Sequence, residues 1–175
     1  MSLNQLEVVR EGLVGMHAML DKAVAEMTLE QWNARPAGQG VSAFFSLWHY
    51  VRTEDNIVNF VAQRRNTVWL KDGWDERFGL HRTSQGTGMT AEQANAVTLN
   101  NTESWLRYQQ AVWEATSEWV SGLTLEGLDA EIVIKPVPPM TIWQALTGML
   151  LHHGYRHVGE IEHARGLVGL GGLTI

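Results

Sequence analysis

His153 and His157 stand four residues apart in an otherwise apolar helical stretch, MLLHHGYRHVGEIEHARGL. The face they share reads Leu146, Leu150, His153, His157, Ile161, Ala164 and Val168, the three- and four-residue steps that line one side of an α-helix. Two imidazoles thus occupy positions where Leu or Ile would pack best. Residues at i and i+4 have Cβ atoms about 5–6 Å apart and can converge on one ion roughly 2 Å from each nitrogen. Left unpartnered in a core, each ring would cost on the order of 1–3 kcal/mol. A shared metal ion is one way to satisfy both; hydrogen bonds to carbonyls or water are the other.

A third imidazole is available. His49 lies in a second apolar stretch, where Phe45, His49, Arg52 and Asn56 follow the same spacing. A Phe on one side and polar groups on the other suit the mouth of a pocket better than a sealed core. Two histidines from one helix and one from a facing helix build a three-ligand site with a position left open. Arg52, one turn beyond His49, can clamp a substrate carboxylate, pair with an acid, or face solvent. Glu160 can accept an imidazole N–H or simply stand on the surface. Asn56 can line the pocket or cap a polar edge. Glu54 is rotated about 140° from His49 and carries little weight. His17, His81, His152 and His163 lie off these lines and are not first-choice ligands.

Four amphipathic segments must position these groups. Leu6, Val9, Leu13, Met16, Leu20, Val24 and Met27 stripe a first helix over residues 2–27. Asn33, Pro36, Gly38 and Gly40 make 28–41 a loop. Ser42 caps a second helix reaching about Arg64. Residues 65–89 hold four glycines and no long period, so an irregular excursion with one short helix around residues 74–78 is expected. Thr90 and Gln93 form a capping box for a third helix running to about Ser121. It carries two adjacent stripes, Trp105, Val112, Trp119 and Leu99, Leu106, Trp113, Val120, a face wide enough for intramolecular packing or a second subunit. Pro136, Pro138 and Pro139 exclude a helix there, and residues 130–135 read as a β-like run, one side of a small hairpin. Thr141 and Gln144 cap a fourth helix extending to about Leu167, where Gly166, Gly169, Gly171 and Gly172 end it. The expected fold is all-α, a four-helix bundle, with 1–175 as one domain.

Composition narrows the function. The chain has 175 residues, 45% hydrophobic and 18% charged, and a net charge of −6, which argues against a duplex nucleic-acid binder. Arg64, Arg65, Lys71, Arg77 and Arg82 cluster, but Asp72, Asp75 and Glu76 dilute them, so a solvated loop is expected. With no cysteine, disulfide scaffolds, zinc ribbons and an intrinsic catalytic thiol are excluded. No apolar run approaches the roughly 18 residues of a membrane span. The start, MSLNQLEVVREGL, has no apolar signal core, so the expectation is a cytoplasmic protein. The eight tryptophans are scattered, as core residues would be.

Together these residues resemble the DinB-like metal-binding four-helix bundles. The resemblance is carried by His49 within Ser46-Leu47-Trp48-His49-Tyr50-Val51 and by His153-Gly154-Tyr155-Arg156-His157-Val158-Gly159-Glu160-Ile161. The segment from Val68 to Leu80 and the ending from His163 to Gly169 extend it over nearly the whole chain. It implies a divalent ion, zinc or nickel, held by His49, His153 and His157, with water or a small-molecule substrate completing the shell. It also implies, for some relatives, use of an exogenous low-molecular-weight thiol, in S-transferases and an isomerase. Some relatives place a carboxylate at one metal position, whereas all three are His here. Three neutral imidazoles would leave the ion its full charge, suited to activating a thiol for transfer or a water for hydrolysis. The function classes are therefore a metal-dependent transferase or hydrolase, a non-catalytic metal-binding stress-response module, and a homodimer scaffold resting on the third helix.

Overall fold

A computed structural model describes residues 4–35 and 40–173. Helix α1, Gln5–Val24, opens with a capping box between Asn4 and Glu7 and buries Leu6, Val9, Leu13, Met16, Leu20 and Val24. The stripe therefore forms the helix it implies, though the helix stops three residues before Met27. Residues 2–3 of the expected span, and Pro36 and Gly38 of the expected loop, lie outside the described residues. The 28–41 loop is not wholly irregular. Thr28 and Gln31 form a second capping box for α2, Leu29–Asn33, which seats a fully buried Trp32.

Ser42 caps α3, Ala43–Asp55, by accepting the Phe45 amide. From there the chain widens into a π-helical segment, Asn56–Ala62. The excursion that follows contains α4, Val68–Lys71, and α5, Trp74–Phe78. Asp55 holds its start, accepting the amides of Val68 and Trp69 at 2.9 and 3.0 Å.

The third segment differs from expectation. Thr90 and Gln93 do make a capping box, but only for α6, Ala91–Ala96. The long helix α7, Thr102–Ser121, starts afresh, with Asn101 accepting the Ser104 amide at 2.8 Å. The break has a cause in Asn33, whose side chain accepts from the Leu99 amide at 2.7 Å and donates to its carbonyl at 2.9 Å. Both backbone groups of Leu99 are thereby withdrawn from any helix. Of the wide α7 face, Trp105, Val112, Trp113 and Val120 are buried, Trp119 partly so, and Leu106 is exposed.

The β-like run pairs as expected of a hairpin: β1, Glu131–Ile132, lies antiparallel to β2, Met140–Thr141. Thr141 then caps α8, Ile142–Gln144, which passes through a second π-helical segment, Ala145–His152, into α9, His153–Leu167. Four long helical stretches thus build the bundle, with α9 packed on α3 and α1, and α7 on α3 and α1. Six of the eight tryptophans are buried in one continuous apolar cluster.

Candidate metal centre

The α3–α9 contact brings the three histidines together. One nitrogen of each of His49, His153 and His157 lies within 4.8 Å of the others. Ring centroids of His49 are 5.2 Å from those of both His153 and His157, which are 4.5 Å from each other. His157 is 4% exposed, and the other two are half-buried.

The outward nitrogens are held. His157 Nδ1 lies 2.7 Å from Glu160 Oε2, an oxygen that also accepts from Ser46 Oγ at 3.0 Å. His49 Nδ1 meets the Gln85 carbonyl. A carbonyl can only accept, so His49 carries its proton on Nδ1 and leaves Nε2 as a lone pair. Hydrogen-bonded second nitrogens of this kind are what metal-ligating histidines show.

The inner nitrogens face one another. His157 Nε2 is 2.9 Å from His153 Nε2, so one proton at most can lie between two acceptors. His153 Nδ1 is buried without a hydrogen bond of good geometry, although the Met149 carbonyl one turn back favours its protonated form. Three converging imidazole nitrogens, two with their far sides anchored, fit the donor set of a borderline divalent ion.

Electrostatics keep these rings ready as ligands. Burial lowers the His49 pKa, partly opposed by the Gln85 carbonyl. Burial, then the neighbouring His157 and His49, lowers His153 to about 4. The hydrogen bond from His157 is the main cause that brings Glu160 down to about 2. At neutral pH His49 and His153 are neutral and Glu160 is charged. A hollow of about 420 Å³ lies beside His153, lined by Gly148, Met149, His152 and Arg156.

The remaining residues singled out from sequence fall elsewhere. Arg52 is 3% exposed, and its guanidinium is engaged by Ser84, Asp55, Tyr108 and Arg82. Asn56 shares a separate hollow of about 150 Å³ with Arg52, Phe60 and Arg82. His152 and His163 are exposed, and His81 is exposed beside Thr83. Glu54, given little weight, is fully buried, with His17 at 3.0 Å and the Thr116 hydroxyl donating to it.

Sequence reasoning assigned no role to Ser46, Gln85 or Gly86. Ser46 was detectable, three residues before His49 on the same helix face. Gln85 acts through its carbonyl, which no side-chain pattern reveals. Gly86 could be counted only as one loop glycine among four.

A helical bundle carrying a three-histidine cluster between two facing helices is the class that fold and site define. The family model of the DinB superfamily matches residues 13–161. The chain belongs to the DinB superfamily. Among solved structures, a crystal structure of a conserved protein from Enterococcus faecalis is similar over 95% of this chain and 98% of that one. Its TM-score is 0.83 at 23% identity, a likeness that shows the fold. Among curated proteins no sequence match is found.

Proposed function

We propose that this protein binds one divalent ion through His49, His153 and His157 and is a metal-dependent enzyme acting on a small molecule. The observation that carries the reading is the convergence of three ring nitrogens within 4.8 Å. The anchoring of two of these rings by Gln85 and Glu160 fits it. Structural zinc sites are usually closed by four protein ligands, whereas three leave a position for exchange. An ion held there would supply Lewis acidity toward a thiol or a water. Zinc or nickel suits the all-nitrogen donor set.

The chain's own residues do the rest. Glu160 holds the His157 proton on Nδ1, and the Gln85 carbonyl does the same for His49. The fully buried Tyr50 ring, 5.7 and 6.0 Å from the His153 and His157 rings, backs the site with apolar surface. Arg156, at the hollow beside His153, places a cation where a small anionic substrate would enter.

We assign the reaction to thiol-dependent S-transfer, with an exogenous low-molecular-weight thiol, or to a related hydrolysis. A cytoplasmic setting fits such a thiol, and among the described residues no helix is long and apolar enough to cross a membrane. Self-association would use the α7 face on which Leu106 stands exposed; light scattering at low concentration tests it.

The deciding experiment is elemental mass spectrometry on wild type and on the His153→Ala/His157→Ala variant, purified without chelator or affinity metal. Near-stoichiometric metal in wild type, lost in the variant, is expected. Wild type that stays metal-free after reconstitution would end the proposal. Small thiols paired with electrophiles then separate transferase from hydrolase.

A further inference from the structure

Arg52 lies one turn beyond His49 on α3. Its guanidinium carbon sits 4.6 Å from the centroid of the Trp69 ring, and Nη1 lies 3.4 Å from Asp55 Oδ2. The other donors leave the helix for the excursion: Nε donates to the Ser84 carbonyl at 3.1 Å, and Nη2 reaches the Arg82 carbonyl at 3.5 Å. The residue after Ser84 is Gln85, whose carbonyl accepts the hydrogen bond from His49 Nδ1–H. Gly86 follows with φ +92°, and a Cβ there would sit 2.8 Å from His49 Nδ1. Arg52 and His49 therefore grip the same short piece of backbone from neighbouring turns of one helix.

We propose that Arg52 is a positioning residue for the metal centre. By holding the Arg82 and Ser84 carbonyls it sets the Gln85 carbonyl against His49 Nδ1, which fixes the Nδ1–H tautomer and leaves Nε2 as the ligand nitrogen. Neutral histidine in water prefers the other tautomer, with its proton on Nε2. Releasing the 82–86 backbone therefore puts a proton where the ion would bind. Gly86 is part of the device, because any side chain would lift the backbone from the ring and strain a left-handed φ. The proposal rests on the metal reading, but its first readout does not require metal.

The test uses the full chain, metal-free, at mildly alkaline pH. Long-range ¹H–¹⁵N correlation spectra report which His49 nitrogen carries the proton. Wild type should show Nδ1–H. Arg52→Gln, Arg52→Lys and Gly86→Ala should show mixtures with Nε2–H; lysine keeps the charge beside Asp55 but not the fork that reaches two carbonyls. Cobalt(II) titrations of the same proteins should show affinity weakened about 10–100-fold. Asn101→Ala controls for plain destabilisation: it removes the α7 cap, where Asn101 accepts the Ser104 amide at 2.8 Å, outside the hollow that Arg52, Arg82 and Thr83 line. It should lose stability yet keep the wild-type tautomer and affinity. If Arg52→Gln does not fold, Arg52→Lys carries the test. Wild-type tautomer and cobalt affinity in the Arg52 variants would overturn the proposal alone. Failure of wild type to take cobalt would overturn it together with the metal reading.

Discussion

Glu160 Oε2 lies 2.7 Å from His157 Nδ1, one turn earlier on α9. This carboxylate orients the ring and makes its other nitrogen a stronger donor. Glu160→Gln should keep the fold but weaken zinc or nickel binding by about tenfold or more, measured by competition with a chromophoric chelator. Ser46→Ala, which removes the 3.0 Å hydrogen bond to the same oxygen, should weaken it less. Equal affinities in all three proteins would mean that the carboxylate does not tune the site.

Metal removal should leave the bundle folded. The apolar cluster spans all four long helical stretches and is complete without the three imidazoles. Chelator-treated protein should keep its helical circular dichroism, while added ion at a hundred times its dissociation constant should stabilise it by about 2.7 kcal/mol. Global unfolding on chelation would instead assign the ion a structural role.

Glu54 should matter for stability rather than for metal. Its carboxylate is fully buried among His17, at 3.0 Å, and the Thr116 hydroxyl, and its charge follows burial in raising the Tyr50 pKa well above the usual range. Removing one partner of such a buried group costs about 3–5 kcal/mol. Glu54→Ala should show that loss in urea denaturation, Glu54→Gln a smaller one, and both should bind metal if folded.

Gly154 sits between the two site histidines of α9 and against α1 and α3. A Cβ there would lie 2.6 Å from Met16 Sδ and 2.9 Å from Tyr50 Cζ. Met16 and Tyr50 are both fully buried, and the rigid tyrosine ring has fewer rotations than the thioether with which to yield. Gly154→Ala should therefore destabilise by about 1–3 kcal/mol in denaturant titration. An unchanged midpoint would show that α9 can shift away from α3 freely.

Much of this was legible in the residues, and what was not has identifiable causes. Long apolar stripes and capping residues located the four main segments, and the seam itself pointed to the imidazoles on α9. The capping box at Thr90 forms as its residues imply, yet the helix it opens ends at Ala96 rather than near Ser121. What ends it is a side chain 66 positions away in sequence, Asn33, bonding the Leu99 backbone. Arg52 pairs with Asp55, one of the alternatives its position left open, but helical spacing gives a face and not the remaining partners. Those partners are backbone carbonyls of a loop, Ser84 and Arg82, which leave no trace in side-chain pattern. Glu54 was discounted by its angle from His49, although that same rotation carries it to His17 and Thr116.

The π-helical segment Ala145–His152 runs directly into His153. Its wider winding absorbs about one residue more per turn than an α-helix would. The segment thus acts as a phase adjuster, setting the angular register of everything after it. Deleting one residue within 145–152 would let the helix relax to ordinary winding, with composition almost unchanged. Alternatively the strain would pass downstream, and the frame from His153 onward would turn by about 100° per residue lost. In that case both imidazoles would leave the face opposite His49 while all three histidines remained in the sequence. A homologue can therefore keep all three histidines and still lack the site, and loop-free length between Thr141 and His153 is the quantity to compare across relatives.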